Sequence, residues 1–163
     1  AGTWASEALR IAAGEPRVFL DTDERTIPNE VAMPDGLALG SGVHLQKGCY
    51  RGQETVARVH NLGKPPRMLV LLHLDGGDDR PATGDPVLAG GRAIGRVGTV
   101  AEHVDLGPIA LALLKRGVPA DTELTSGGDA QVPAAIDADS LPEADTSAGA
   151  GRAAVDRLRG GAR

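Results

Sequence analysis

The sequence has few aromatic residues, one cysteine, no large excess of either charge and no long apolar run. Aromatics make up 2% of it, namely Trp4, Phe19 and Tyr50. Any core must therefore be assembled from Val, Leu, Ile and Ala, and few platforms remain on which nucleobases could stack. Cys49 is the only cysteine. That excludes an intrachain disulfide and any metal site completed by cysteines of this chain, and it fits a reducing compartment. Acidic residues outnumber basic ones 22 to 17, for a net charge of -5. No overall positive field draws in phosphate backbones, so direct nucleic-acid binding is not expected. No apolar run approaches the ~20 residues that cross a bilayer, and the opening AGTWASEALR has neither a basic n-region nor an apolar h-region. The expectation is a cytoplasmic protein without membrane contact.

What is present is organised in two parts. From Thr3 to Ala13 the apolar positions Trp4, Ala8, Leu9, Ile11 and Ala12 fall at helical spacing, with Thr3 or Ser6 as candidate caps and Gly14 as a stop. These opening residues read as the inside of a helix, as though the chain began partway through something larger. Pro16 enforces extension, and Arg17 to Pro34 reads as an ordered connection. Val43 to Leu45 suits a short strand, and Gly52 to His60 a helix with Glu54 in its first turn and Gly63 as its stop.

Pro65 and Pro66 divide the chain, and beyond them the period changes. Arg67 to Leu74, Asp85 to Leu88, Arg92 to Val104, Ile109 to Lys115, Glu123 to Thr125 and Ala130 to Ile136 read as strands, with hairpin turns at Ala89 to Gly91 and at Gly127 and Gly128. About six short strands in about 70 residues predict a small antiparallel barrel. From roughly Asp137 the composition is too poor in apolar residues to offset the entropy of ordering, so a disordered tail is expected, with at most a weak helix at Arg152 to Arg159.

The segment with the most chemistry is Lys47-Gly48-Cys49-Tyr50-Arg51-Gly52-Gln53-Glu54. It places a thiol between two cations and two glycines, where a strand is expected to turn into a helix. Free N–H groups and the positive dipole end collect at such a junction. Cations and dipole together favour the nucleophilic thiolate at Cys49. The plainer alternative makes Cys49 a buried small hydrophobe and Lys47 a solvated surface cation. Gly48 and Gly52 are expected to allow backbone conformations or close approaches that a Cβ would block. Gln53 and Glu54 could hydrogen-bond the motif backbone or a ligand, or simply sit at the helix N-terminus as dipole-stabilised polar residues. His44, His60, His73 and His103 have no metal-ligand spacing, no catalytic Ser–His–Asp order stands out, and no metal site is expected.

The octapeptide resembles the K-G-C-Y/F-x-G-Q-E pattern of YgfZ-type folate-binding proteins, which are relatives of the glycine-cleavage T-protein. T-proteins lack this cysteine. The preceding stretch LRIAAGEPRVFLDTDERTIPNE, Leu9 to Glu30, resembles the same family, as does ETVARVHNLGKPPRMLVLLHLDG, which starts at Glu54. The likeness spans approximately Trp4 to Val132. It implies an α+β fold, with residues 1–64 as the C-terminal part of a folate-binding T-protein-like domain, 65–136 as the family's small antiparallel β-barrel and 137–163 as the tail. On this likeness the N-terminal part of the folate region, including the segment that holds the T-protein catalytic aspartate, would lie before Ala1.

The resemblance further implies tetrahydrofolate as cofactor, with Arg10, Glu30, Tyr50, Gln53 and Glu54 as candidate binding residues and Cys49 and Lys47 as the reactive pair. For Arg10 and Glu30 the alternative is a mutual or surface ion pair. It implies an accessory factor in iron–sulfur cluster assembly or repair, associated with tRNA modification, whose partners are folate and iron–sulfur proteins or assembly factors. A conventional turnover enzyme is not the expectation. Two rivals remain open: a folate-dependent aminomethyltransferase, and a barrel interaction module with a degenerate folate half.

Overall fold

The computed structural model describes residues 2–31, 48–62, 64–128 and 130–141. Helix α1, Thr3–Ala12, is followed by a one-turn 3-10 helix, Pro28–Glu30, and by helix α2, Gln53–Leu62. Six strands come next: β1 Arg67–Leu74, β2 Pro86–Ala89, β3 Arg92–His103, β4 Gly107–Lys115, β5 Leu124–Ser126 and β6 Val132–Ile136. A second 3-10 turn, Ala138–Ser140, ends the described chain. The fold is α+β, and the strands close into an antiparallel barrel in the order β1-β4-β3-β2-β5-β6. Closure removes the unpaired edges that an open sheet of this size would expose.

The unbroken apolar run of β1 follows from two cores on its two faces. Met68, Val70, Leu72 and Leu74 point into the barrel, where they meet Val87, Val97, Ala110, Ala112, Leu114, Leu124, Val132 and Ile136. Leu69 and Leu71 point outward and join Ile109, Leu111 and Leu113 of β4 beneath Ile11 of α1. A strand buried on both sides cannot alternate apolar with polar. The barrel interior is thus filled by aliphatic side chains, as the scarcity of aromatics requires.

Helix α1 lies on the outer face of β3 and β4, buries Ala8 and Ile11, and leaves Trp4 88% and Leu9 58% exposed. The expected apolar stripe is therefore only half used, because the barrel wall it covers is two strands wide. Its N-cap is Gly2, with no side-chain capping bond, so neither Thr3 nor Ser6 serves as the cap. Gly14 follows the helix end with φ 68°, as a left-handed stop requires.

The segment after α1 is fastened to the barrel by a buried carboxylate. Between Val97 and Val100 the β3–β4 register shifts, and the N–H of Thr99 bonds outside the ladder, donating to Asp21 Oδ1 at 2.6 Å. The Thr99 hydroxyl donates to the same oxygen at 2.7 Å, while the Arg17 N–H and Arg10 Nη1 donate to Oδ2 at 2.8 and 3.2 Å. Asp21 is 1% exposed. Gly98 makes this docking possible, since a Cβ there would lie 2.2 Å from Asp21 Oδ1.

The chain just after β6 is tied back to β1. Asp137 N–H donates to the Leu71 carbonyl at 2.9 Å, and the Leu71 N–H donates to Ser140 Oγ at 3.1 Å. β6 reaches β1 only over Leu72 to Leu74, so the turn at Ala138–Ser140 completes the β1 edge beyond it. Asp137 and Ser140, which composition placed in the tail, are thus hydrogen-bonded to β1. Residues 142–163, including the weak helix expected at Arg152 to Arg159, lie outside the described residues.

Candidate functional site

The described part of the motif runs from Gly48 into α2. The helix starts at Gln53, one residue later than Gly52, because Gly52 is the left-handed turn residue, with φ 83°. An L side chain there would be strained. Its carbonyl accepts the N–H groups of Thr55 and Val56 at 3.1 and 3.2 Å, opening the helix. Gln53 N–H donates to the Tyr50 carbonyl at 3.2 Å, and Gln53 Oε1 accepts the Tyr50 N–H at 3.2 Å. This reciprocal pair closes the turn as a capping box does, so the Gln53 amide oxygen is used by the motif backbone. Among the described residues, no atom lies within 4 Å of the place where a Cβ on Gly48 would be.

Cys49 is exposed. The alternative of a buried small hydrophobe is thereby set aside. Arg51 and Glu54 are exposed and Tyr50 is half-buried. Lys47 and the strand expected at Val43 to Leu45 lie outside the described residues, as does Gly63. Helix α2 is seated by Val56, 4% exposed, and packs against the turn Pro28–Glu30. The octapeptide and Glu30 are therefore neighbours through adjacent elements.

Glu30 is buried and engaged at both oxygens. Arg67, the first residue of β1, donates Nε to Oε1 at 2.9 Å and Nη2 to Oε2 at 2.8 Å, and the Ile27 N–H donates to Oε2 at 3.1 Å. The same guanidinium forks onto Asp23, with Nη1 to Oδ2 at 2.6 Å and Nη2 to Oδ1 at 3.2 Å. The hydrogen bonds from Arg67 hold the Asp23 carboxyl well below the usual carboxylate range, and the two carboxylates raise Arg67 above its ordinary value, Glu30 more than Asp23. One cation thus ties the connection after α1 to the first strand of the barrel.

Arg10 stands elsewhere. It bonds Glu7, Asp21, the Thr99 hydroxyl and the Glu15 carbonyl at the α1–β3 interface. Arg10 and Glu30 therefore do not form the mutual ion pair that was one alternative, nor surface pairs, since their side chains are 12% and 1% exposed. Each belongs to its own cluster, centred on Asp21 and Arg67 respectively. Asp21, Asp23, Arg67 and Thr99 were not singled out from sequence. The legible signal was a dense alternation of charges, Arg17 to Glu30, opposite a strand that opens with Arg. Charge alone could not say which of these residues are buried.

The chain is similar to two curated proteins. A tRNA-modifying protein YgfZ from Colwellia psychrerythraea (strain 34H / ATCC BAA-681) is 38% identical over 65 residues, which is 40% of this chain and 19% of that protein. An aminomethyltransferase from Moorella thermoacetica (strain ATCC 39073 / JCM 9320) is 31% identical over 137 residues, 81% of this chain and 33% of the relative. No protein-family profile matches the chain. The chain thus spans a third or less of the length of these relatives, and its relationship to YgfZ and aminomethyltransferases is partial. Among the described residues no three or more His, Cys, Asp or Glu residues form a group that could hold a metal ion, and no helix is long and apolar enough to cross a membrane.

Proposed function

We propose that this chain is the C-terminal part of a folate-binding, T-protein-like protein that acts as an accessory factor in iron–sulfur cluster assembly or repair. Residues 1–64 then complete one side of the folate domain, 65–136 form the barrel, and the tail follows. The observation that carries the reading is the exposed thiol of Cys49, presented just ahead of α2 by a turn that depends on Gly52. One thiolate cannot hold a cluster unaided, so the role of Cys49, with Lys47 beside it in sequence, is contact with a cluster or with a protein that carries one. Similarity to a tRNA-modifying YgfZ protein supports the folate-binding, T-protein-like part of this reading.

Tetrahydrofolate fits the chemistry of the carboxylates, since a pterin presents adjacent N–H donors of the kind that Arg67 now offers Glu30. Tyr50 and Glu54 are retained as folate contacts. Arg10, Glu30 and Gln53 have fixed partners within the chain, so a folate contact from them requires exchanging those partners. A saturating ligand at 100 times its dissociation constant stabilises the folded state by about 2.7 kcal/mol, which a thermal shift with tetrahydrofolate would detect. In cells, Cys49→Ser is expected to lower the activity of iron–sulfur enzymes. Unchanged activities with the variant would end the cluster-related reading.

A second reading is favoured by the broader match, which covers 81% of the chain, to an aminomethyltransferase. A one-carbon transfer assay on the protein with tetrahydrofolate decides it. Turnover that survives Cys49→Ser would favour the transferase.

A further inference from the structure

The tip of the β3–β4 hairpin is closed by a histidine ring. His103 ends β3 and stands opposite Gly107 in the register, so its cross-strand partner has no side chain to compete with the imidazole. His103 Nδ1 accepts two backbone bonds from the turn, from the Asp105 N–H and the Leu106 N–H, each at 3.2 Å. The ring does for this turn what an Asn or Asp side chain does in many others, satisfying N–H groups of the residues that follow it. What the closed turn presents is apolar. Val104 is 92% exposed and Leu106 42%.

A nitrogen that accepts must be unprotonated. Neutral imidazole has one acceptor nitrogen, and imidazolium has none, because both nitrogens then carry hydrogen. Protonating His103 therefore removes the acceptor of both turn bonds at once and sets a third N–H against the other two. Histidine is the side chain whose charge ordinarily changes between pH 5 and 8. The bonds that need the neutral ring are fully present above that range and are lost as pH falls through it.

The charged groups on the elements around β3 are engaged elsewhere or lie far along the strand. Glu102 precedes His103 and so points to the opposite face, where Arg80 of the β1–β2 loop pairs with it at 2.6 Å. Helix α1 packs on β3, and its Glu7 and Arg10 pair with each other, with Arg17 and with Asp21. Strand β2, with the sequence PVLA, carries no charge. Lys115 of β4 reaches the Ala93 carbonyl near the start of β3, and Arg96 bonds the carbonyls of Leu20 and Thr22. Asp105 lies in the turn itself, but carboxylates ordinarily titrate near pH 4, below the histidine range. His73 supplies a contrast within the same barrel. Its Nε2 lies 2.9 Å from Asp137 Oδ2, an arrangement that protonation converts to an ion pair and does not break.

We propose that the β3–β4 hairpin tip is a pH-responsive element. With His103 neutral the turn is closed and holds Val104 and Leu106 in a fixed display; with His103 protonated the turn opens and the display is lost. This inference is independent of the reading given under Proposed function.

Amide solvent exchange followed by NMR on the full chain, corrected for the intrinsic exchange rate at each pH, tests it. Protection of the Asp105 and Leu106 amides should fall about 5-fold between pH 8 and pH 5, the loss of one ordinary hydrogen bond at each. The change should share its midpoint with the ring signals of His103. His103→Asn offers the turn an acceptor oxygen that does not titrate, and should abolish the pH response. His103→Ala should expose both amides at pH 8 as fully as the parent does at pH 5, and His73→Gln should leave the response in place. Protection that persists at pH 5 in the parent overturns the proposal. So does a pH response that survives in His103→Asn or disappears in His73→Gln.

Discussion

Replacing Arg67 by Met should be among the most damaging single changes outside the barrel interior. The guanidinium engages both oxygens of Glu30, whose side chain is 1% exposed, and it also pairs with Asp23, which is 25% exposed. Met keeps the aliphatic bulk of the side chain and removes only the charge. Glu30 would retain the Ile27 N–H but remain an uncompensated buried charge, a loss worth about 3–5 kcal/mol. Against a total stability of about 5–15 kcal/mol for an ordinary domain, that is a large fraction. Denaturant unfolding followed by far-UV circular dichroism measures it. The double variant with Glu30→Gln should recover a substantial part of the loss, because the stranded charge is gone. A loss under about 1 kcal/mol for Arg67→Met, or no recovery in the double variant, would refute the claim that this cluster ties the N-terminal segment to β1. The pH dependence carries its own sign. Arg67 depresses the Asp23 carboxyl in the folded state, so its contribution is fully present above the ordinary value of about 4 and is lost as pH falls below it. Stability should therefore decline from about pH 4 downward, and the Asp23 part of that decline should vanish in Arg67→Met.

Three further outcomes follow from the geometry. Gly98→Ala places a Cβ 2.2 Å from Asp21 Oδ1 and 3.0 Å from the Leu111 carbonyl oxygen; it should cost about 1–3 kcal/mol and speed hydrogen exchange at the Thr99 amide. Ser140→Ala leaves the N–H of the buried Leu71 without its acceptor, a change expected to lower stability by about 1–3 kcal/mol, visible as an earlier urea midpoint. Phe19→Gly should leave stability unchanged or raise it by up to about 1 kcal/mol, since glycine tolerates positive φ and the side chain is mostly exposed; a thermal midpoint clearly below that of the parent would contradict the strain.

Much of the barrel was legible because strand signals are local. The apolar run Arg67 to Leu74, the Gly90–Gly91 turn and the run ending at Lys115 placed strands within a residue or two of those observed, as expected for boundaries of this kind. Helix α2 was legible for the same reason, through Glu54 in its first turn, although it starts at Gln53 rather than at Gly52.

Other features depended on partners distant in sequence. Trp4 and Leu9 obey the helical period as well as Ile11 does, yet only Ile11 meets the outward-facing Leu69 and Leu111. The turn at Ala138–Ser140 is ordered because β6 is too short to pair all of β1, which no composition of the tail reveals. Within the motif, the type and order of residues pointed to an accessible thiol beside a helix start. The use of the Gln53 side chain by the Tyr50 backbone, and of Glu30 by Arg67, required three-dimensional neighbours.

The sequence by itself determined the aliphatic nature of the core, the strand and turn positions and the one thiol, since these are set by residue type and by contacts a few positions apart. Only the tertiary structure decided which carboxylates are buried and paired, which half of α1 faces the barrel, and that two aromatics stand exposed. Burial is a property of what the far parts of a chain place nearby, and spacing along the sequence carries no record of it.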